Sequence, residues 1–219
     1  MTQLRSNPFV RVTWLKQLLV GDHSCEWATW FKAHHTGHLK PPNDFDAISW
    51  KIKHVTLLRK IREKLEAQGY DTRIEAQNDF KLPGNSGAVL AGKPDLIAVS
   101  DGKGIIVDAK TGKPNASDIT QVMIYMWAVP LALPRYKGVN FDGLVVYKDR
   151  EVSIPNVGIN EDFKDGFFQL VRKVTGNTPA AKIPSTNECQ FCDITEADCP
   201  ERLNKKDEGD EPCGATPAF

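Results

Sequence analysis

Three residues carry the chemistry that organises this chain: Asp95, in Gly92-Lys93-Pro94-Asp95, and, after a gap of twelve residues, Asp108 and Lys110 in Asp108-Ala109-Lys110. Between them lie two apolar runs, 96–99 and 105–107, on either side of Asp101-Gly102, a strong signal for a two-residue hairpin turn. With that turn, facing residues have numbers summing to 203, and Asp95 falls opposite Asp108. Opposed Cβ atoms lie only ~4.5–5.5 Å apart, so two carboxylates at the end of an apolar hairpin repel unless something neutralises them. A divalent cation does so. Strand alternation puts Lys110 on the same face as Asp108, which brings two carboxylates and an ammonium to one spot. Such a set suits phosphodiester hydrolysis: hard oxygens take Mg²⁺ or Mn²⁺, and the lysine orients the nucleophile or stabilises the transition state.

The flanking sequence must position that hairpin. Residues 12–35 read as two short helices broken at 21–24. From 47 to 68, Ile48, Ile52, Val55, Leu58, Ile61 and Leu65 recur every three or four positions before Gly69, the clearest amphipathic helix, with His54 near its apolar edge. Residues 70–82 read as one strand that enters a hairpin through Pro-Gly-Asn-Ser-Gly; Glu75 on it is an additional acid near the site, with pairing to Arg73 or Lys81 the simpler account. Residues 117–129 form a helix capped by Ser117 or Asp118 and closed by Pro130, and Gln121 and Tyr125, four apart, share one of its faces. A strand at 141–147, an edge strand at 151–155 and an amphipathic helix at 160–175 follow.

The five cysteines are Cys25, Cys189, Cys192, Cys199 and Cys213. Three thiols within eleven residues point to metal ligation, with Cys25 as the fourth donor and Cys213 a spare thiol in an acidic tail. Four thiolates suit either tetrahedral zinc or an iron–sulfur cluster. The 28 basic and 28 acidic residues and 41% apolar content describe a soluble globular protein of zero formal net charge, which argues against a uniformly basic coat but not against a local basic groove. No apolar run is long enough to span a membrane, and the first residues lack a signal-peptide pattern, so a cytoplasmic location is expected.

Pro94-Asp95 followed by Asp108-Ala109-Lys110 resembles the motif of the PD-(D/E)XK nuclease superfamily. Gln121-x-x-x-Tyr125 resembles the additional motif of its RecB-type branch, where the pair is associated with DNA binding. The order His54, Asp95, Asp108, Lys110, Gln121, Tyr125 matches that branch, and the resemblance implies that His54, Asp95, Asp108 and the Ala109 carbonyl hold the metal. One cysteine before the core and three after it is similar to the iron–sulfur members, AddB-type and CRISPR-associated exonucleases, although Glu26 follows Cys25 where those have proline. The resemblance implies an α/β, restriction-endonuclease-like core with a central mixed β-sheet flanked by helices. On this reading residues 1–46 are an N-terminal helical segment, 47–176 the nuclease core, 177–203 the cysteine segment that completes an iron–sulfur lobe, of 4Fe–4S type with zinc as the alternative, and 204–219 a mobile tail. It further implies a Mg²⁺- or Mn²⁺-dependent deoxyribonuclease, an exonuclease on single strands or DNA ends in repair, recombination or CRISPR adaptation. The alternative is a DNA-binding subunit that needs a helicase or integrase partner. Lys53, Arg59 and Lys113 are further expected phosphate contacts.

Overall fold

The computed structural model describes residues 1–42 and 45–204; Cys213 and nearly all of the expected tail lie outside the described residues. In chain order the elements are β1 (Gln3–Leu4), β2 (Phe9–Arg11), α1 (Val12–Leu19), α2 (Glu26–His34), β3 (His35–Thr36), α3 (Ala47–Ala67), β4 (Asp71–Ile74), β5 (Phe80–Pro83) and β6 (Val89–Gly92). There follow β7 (Leu96–Ser100), β8 (Lys103–Ala109), α4 (Ala116–Ala132), β9 (Asn140–Val146), β10 (Glu151–Ile154), α5 (Glu161–Thr175) and α6 (Thr186–Cys189).

The central hairpin forms in the expected register. Leu96 faces Val107, Ser100 faces Lys103, and both turn residues have positive φ, 48° at Asp101 and 76° at Gly102. That turn has the twist of the strands it joins. Strands β10-β9-β8-β7-β4 make a mixed sheet in which only β8 and β9 run parallel, linked by α4 as parallel neighbours require. Alternation splits the strand residues between two cores. Leu96, Ala98, Val107 and Ala109 pack with Leu58, Ile61 and Leu65 of α3, while Ile97, Ile106 and Val145 pack with Val122 of α4. Each fully buried leucine, isoleucine or valine among them contributes ~1.5–3 kcal/mol. Gly143 lets α4 lie close on β9, since a Cβ there would stand 2.5 Å from Val122. The architecture is α/β, a mixed sheet between helices. A second sheet, β2-β6-β5, has β2 parallel to β6, so the N-terminal segment supplies a strand as well as helices.

Three local expectations are corrected. The strand expected over 70–82 is two strands in different sheets, separated at Glu75 (φ 41°) by a 3₁₀ turn. Asn78 seals the break, its amide donating to the carbonyls of Arg73 (2.8 Å) and Pro94 (3.3 Å). Helix α3 is longer than the sheet face it covers, so Ile48, Ile52 and Val55 of the expected apolar stripe are exposed. Helix α4 runs through Pro130 to Ala132 and is capped by Asn115, not by Ser117 or Asp118. The proline gives up the bond its N–H would make to the Met126 carbonyl, and the Leu133 N–H to Val129 O bond (2.9 Å) closes the last turn.

Candidate active site

The register that pairs Leu96 with Val107 continues outward to set Asp95 beside Asp108 at one end of the sheet. Each carboxylate has its own nitrogen partner, His54 for Asp95 and Lys110 for Asp108. Asp95 Oδ2 lies 3.1 Å from His54 Nε2 and accepts the Ala109 N–H at 2.8 Å. Asp108 Oδ2 lies 2.6 Å from Lys110 Nζ, and Oδ1 accepts from Gln121 Nε2 at 2.8 Å. Gln121 bridges the site: its Oε1 accepts from Lys110 Nζ (3.2 Å), and its amide also reaches the Tyr125 hydroxyl (3.3 Å). The structure therefore brings together all six residues of the expected order. His54 is buried, reaching in from α3 one turn before Leu58, with Trp50 stacked on its ring at 4.9 Å.

Burial dominates the electrostatics of Asp108, whose carboxyl is pushed up to about 6, with the nearby Asp95 charge adding to the rise and Lys110 opposing it. The imidazole of His54 is raised by its hydrogen bond to Asp95, which outweighs its desolvation, and by the charges of Asp95, Asp108 and Glu75. Desolvation alone would depress the Lys110 ammonium, but Asp108, Asp118 and Asp95 together raise it. The Tyr125 hydroxyl is raised by burial and by Asp108, which keeps it a neutral hydrogen-bonding group. As the side chains stand, no group of three or more His, Cys, Asp or Glu residues among the described ones forms a ready-made metal site. The donor set nevertheless fits a hard cation: two carboxylates and an imidazole share one end of the sheet, and Asp108 is incompletely neutralised by Lys110.

Sequence reasoning missed the support behind Lys110. Asp118, buried on α4, accepts from Lys16 Nζ (2.8 Å) and from the Tyr147 hydroxyl (3.1 Å) and lies 3.7 Å from Lys110 Nζ. Lys16 comes from α1 and Tyr147 follows β9, so no spacing in the sequence links them. Glu75 leaves the strand at the break, its N–H donating to Asp95 O at 2.9 Å. The pairing expected with Arg73 or Lys81 is not formed among the described residues; Arg73 instead meets Asp71 at 3.5 Å.

Beyond helix α1, Cys25, Cys189, Cys192 and Cys199 all line one cavity of about 140 Å³. Glu188 ties its two sides together by accepting the N–H groups of Ser24 (2.9 Å) and Cys25 (3.1 Å). Burial raises the Cys192 and Cys199 thiols, while Lys32 and Arg202 beside Cys192 and Lys182 beside Cys199 oppose the rise. The four thiols thus share one cavity with cations beside it, but no three of them stand as a ready-made metal site among the described residues. Glu26, in the place of the usual proline, is held by Lys173 Nζ at 2.9 Å.

No curated protein matches this sequence. A solved structure, the crystal structure of SSO0001, is similar over 92% of this chain and 90% of its own, at 16% identity and a TM-score of 0.48. The model of the PD-(D/E)XK nuclease superfamily matches residues 23–199, a span that holds the carboxylate hairpin, Lys110, Gln121 and the four clustered cysteines, and the chain belongs to that superfamily.

Proposed function

We propose that the protein is a Mg²⁺- or Mn²⁺-dependent deoxyribonuclease of the RecB-like branch, an exonuclease acting on single-stranded DNA or DNA ends. Membership in the superfamily implies nucleic-acid phosphodiester hydrolysis. The observation that carries the finer reading is the Gln121 bridge, which joins Asp108, Lys110 and Tyr125 in one hydrogen-bonded set beside Asp95 and His54. Asp95, Asp108, His54 and the Ala109 carbonyl would hold the cation. When bound, that ion supplies activation of water and neutralisation of charge at the scissile phosphate. Lys110, held charged between Asp108 and Asp118, orients the attacking water and offsets charge in the transition state. Gln121 and Tyr125 position the strand.

Cys25, Cys189, Cys192 and Cys199 would hold an iron–sulfur cluster, of 4Fe–4S type, that staples the chain ends to the core; their common cavity supports this assignment. Repair, recombination or CRISPR adaptation would employ such an enzyme inside the cell. The test is cleavage of end-labelled single- and double-stranded DNA by anaerobically purified protein with either metal. The expected result is shortening from an end, lost in Lys110→Ala, with iron rather than zinc bound and lost in Cys189→Ser.

A second reading is a subunit active only with a helicase or integrase partner. The exposed apolar side chains Phe45, Ile48, Ile52 and Val55, close to the site, favour it. No cleavage by folded, cluster-loaded wild type alone, and cleavage on adding a partner, would select it.

A further inference from the structure

The three-stranded sheet has a buried face and an open one. Val10, Leu90 and Phe80 point into the core, so Arg11, Ala91 and Lys81 point outward. The register sets these three in one row, Arg11 opposite Ala91 and Ala91 opposite Lys81. Two cations thus rise from the same face two strands apart, about 9–10 Å, over a methyl floor. Lys93 stands beyond the end of β6, and all three cations line one cleft of about 440 Å³ whose single acidic lining residue is Asp79. Against a chain of zero formal net charge, this is a local excess of positive charge.

None of the three is paired with a carboxylate among the described residues, whereas Lys16, Lys32, Lys64, Lys110, Lys164, Lys173 and Lys182 all are. Arg11 is positioned by rings instead, with its guanidinium 5.9 Å from the Phe9 centroid and 6.0 Å from that of Trp14. Arg5 approaches Phe9 as well, at 5.4 Å, and the charge of Arg11 works against its own. An anion relieves that repulsion. The inner end of the cleft is floored by Tyr125, whose hydroxyl is bonded to Gln121 and through it to Asp108. Gly92, opposite Phe80 on the core face, lets the Tyr125 and Phe80 rings pack close under this end, because a Cβ there would stand 2.7 Å from both. The cleft therefore leads from an unpaired basic row to the proposed scissile position.

We propose that this cleft is the phosphate-backbone subsite for the substrate strand, with Arg11, Lys81 and Lys93 each neutralising one phosphate to one side of the bond to be cut. The assignment rests on the nuclease reading and adds to it the side of the site along which the strand lies. Contacts of this kind release counterions, at about 0.7 in the slope of log K against log salt per phosphate on a single strand.

The test uses the full chain carrying Asp108→Asn to prevent cleavage and a fluorescein-labelled thymidine oligonucleotide, with anisotropy read from 50 to 200 mM KCl. Arg11→Gln/Lys81→Gln/Lys93→Gln should lower the salt slope by about 2, with an unchanged melting temperature because all three side chains are exposed. Lys103→Gln/Lys137→Gln, on surfaces away from the cleft, should leave the slope as it was. An unchanged slope in the triple variant, or a loss that appears instead in Lys53→Gln/Arg59→Gln/Lys113→Gln, overturns the cleft while leaving the nuclease reading intact. A parent that binds no oligonucleotide at any salt overturns both.

Discussion

Asp108→Asn should stabilise the metal-free protein at pH 8 and abolish its response to Mn²⁺. Burial lifts the Asp108 carboxyl from 3.8 to about 6. At ~1.4 kcal/mol per unit, ionising it in the folded state costs about 3 kcal/mol. The sign follows from the raised value: the stability contributed by the protonated carboxyl is complete below about 3.8 and is lost as pH rises through about 6. At pH 8 the wild type bears the whole cost. An asparagine amide does not, and its oxygen still accepts from Gln121. Lys110 loses its nearest anion in exchange, retaining Asp118 at 3.7 Å, which reduces the gain. The net stabilisation is then about 1–3 kcal/mol, or roughly 2–12 °C in melting temperature for a chain of this size. The assay is thermal melting in EDTA and in Mn²⁺ at pH 4 and pH 8. In EDTA the difference should be present at pH 8 and nearly vanish at pH 4. Saturating Mn²⁺ should raise the wild type, by about 2.7 kcal/mol at a hundredfold excess over Kd, and leave the variant unmoved. A variant that melts below the wild type in EDTA at pH 8 would show that the ion pair outweighs desolvation. A variant lifted by Mn²⁺ as much as wild type would remove Asp108 from the metal site.

Metal affinity should climb with pH through about 6 and continue to rise above 6.5, because binding needs Asp108 ionised and His54 neutral and the imidazole is raised; calorimetry at pH 6 and 8 giving equal Kd values would refute this. Asp118→Asn should lower kcat about 10–100-fold, as loss of a supporting partner does, with little change in KM and move the alkaline limb of the kcat profile to lower pH, since Asp118 helps hold Lys110 charged. An unmoved limb would reduce Asp118 to packing. Gly92→Ala should cost about 1–3 kcal/mol by overpacking and raise KM for single strands, because its Cβ meets Tyr125 and Phe80 at 2.7 Å. A variant with wild-type melting and KM would mean that both rings yield freely.

Local chemistry made much of the site legible in the sequence. Asp101-Gly102 specifies a two-residue turn, that turn specifies the register, and the register places Asp95 against Asp108. Helical spacing likewise sets Gln121 and Tyr125 on one face, and they meet at 3.3 Å. The break at Glu75 was not legible, because residues 71–83 are strand-like throughout and only the division between two sheets interrupts them. The fate of Ile48, Ile52 and Val55 was equally hidden, since periodicity defines a helical face but not the width of the sheet beneath it.

What the sequence by itself determined is the pairing within short loops and single helices, where turn geometry and the 3.6-residue period leave few alternatives. Tertiary structure alone decided that His54 reaches Asp95, that Lys16 and Tyr147 converge on Asp118, that four thiols share one cavity, and that Arg11 and Lys81 flank Ala91. Most of those partners lie far apart in the chain, from 29 residues for Tyr147 with Asp118 to 164 for Cys25 with Cys189. At such separations contact is set by which faces pack together, and no residue carries that information within its own neighbourhood.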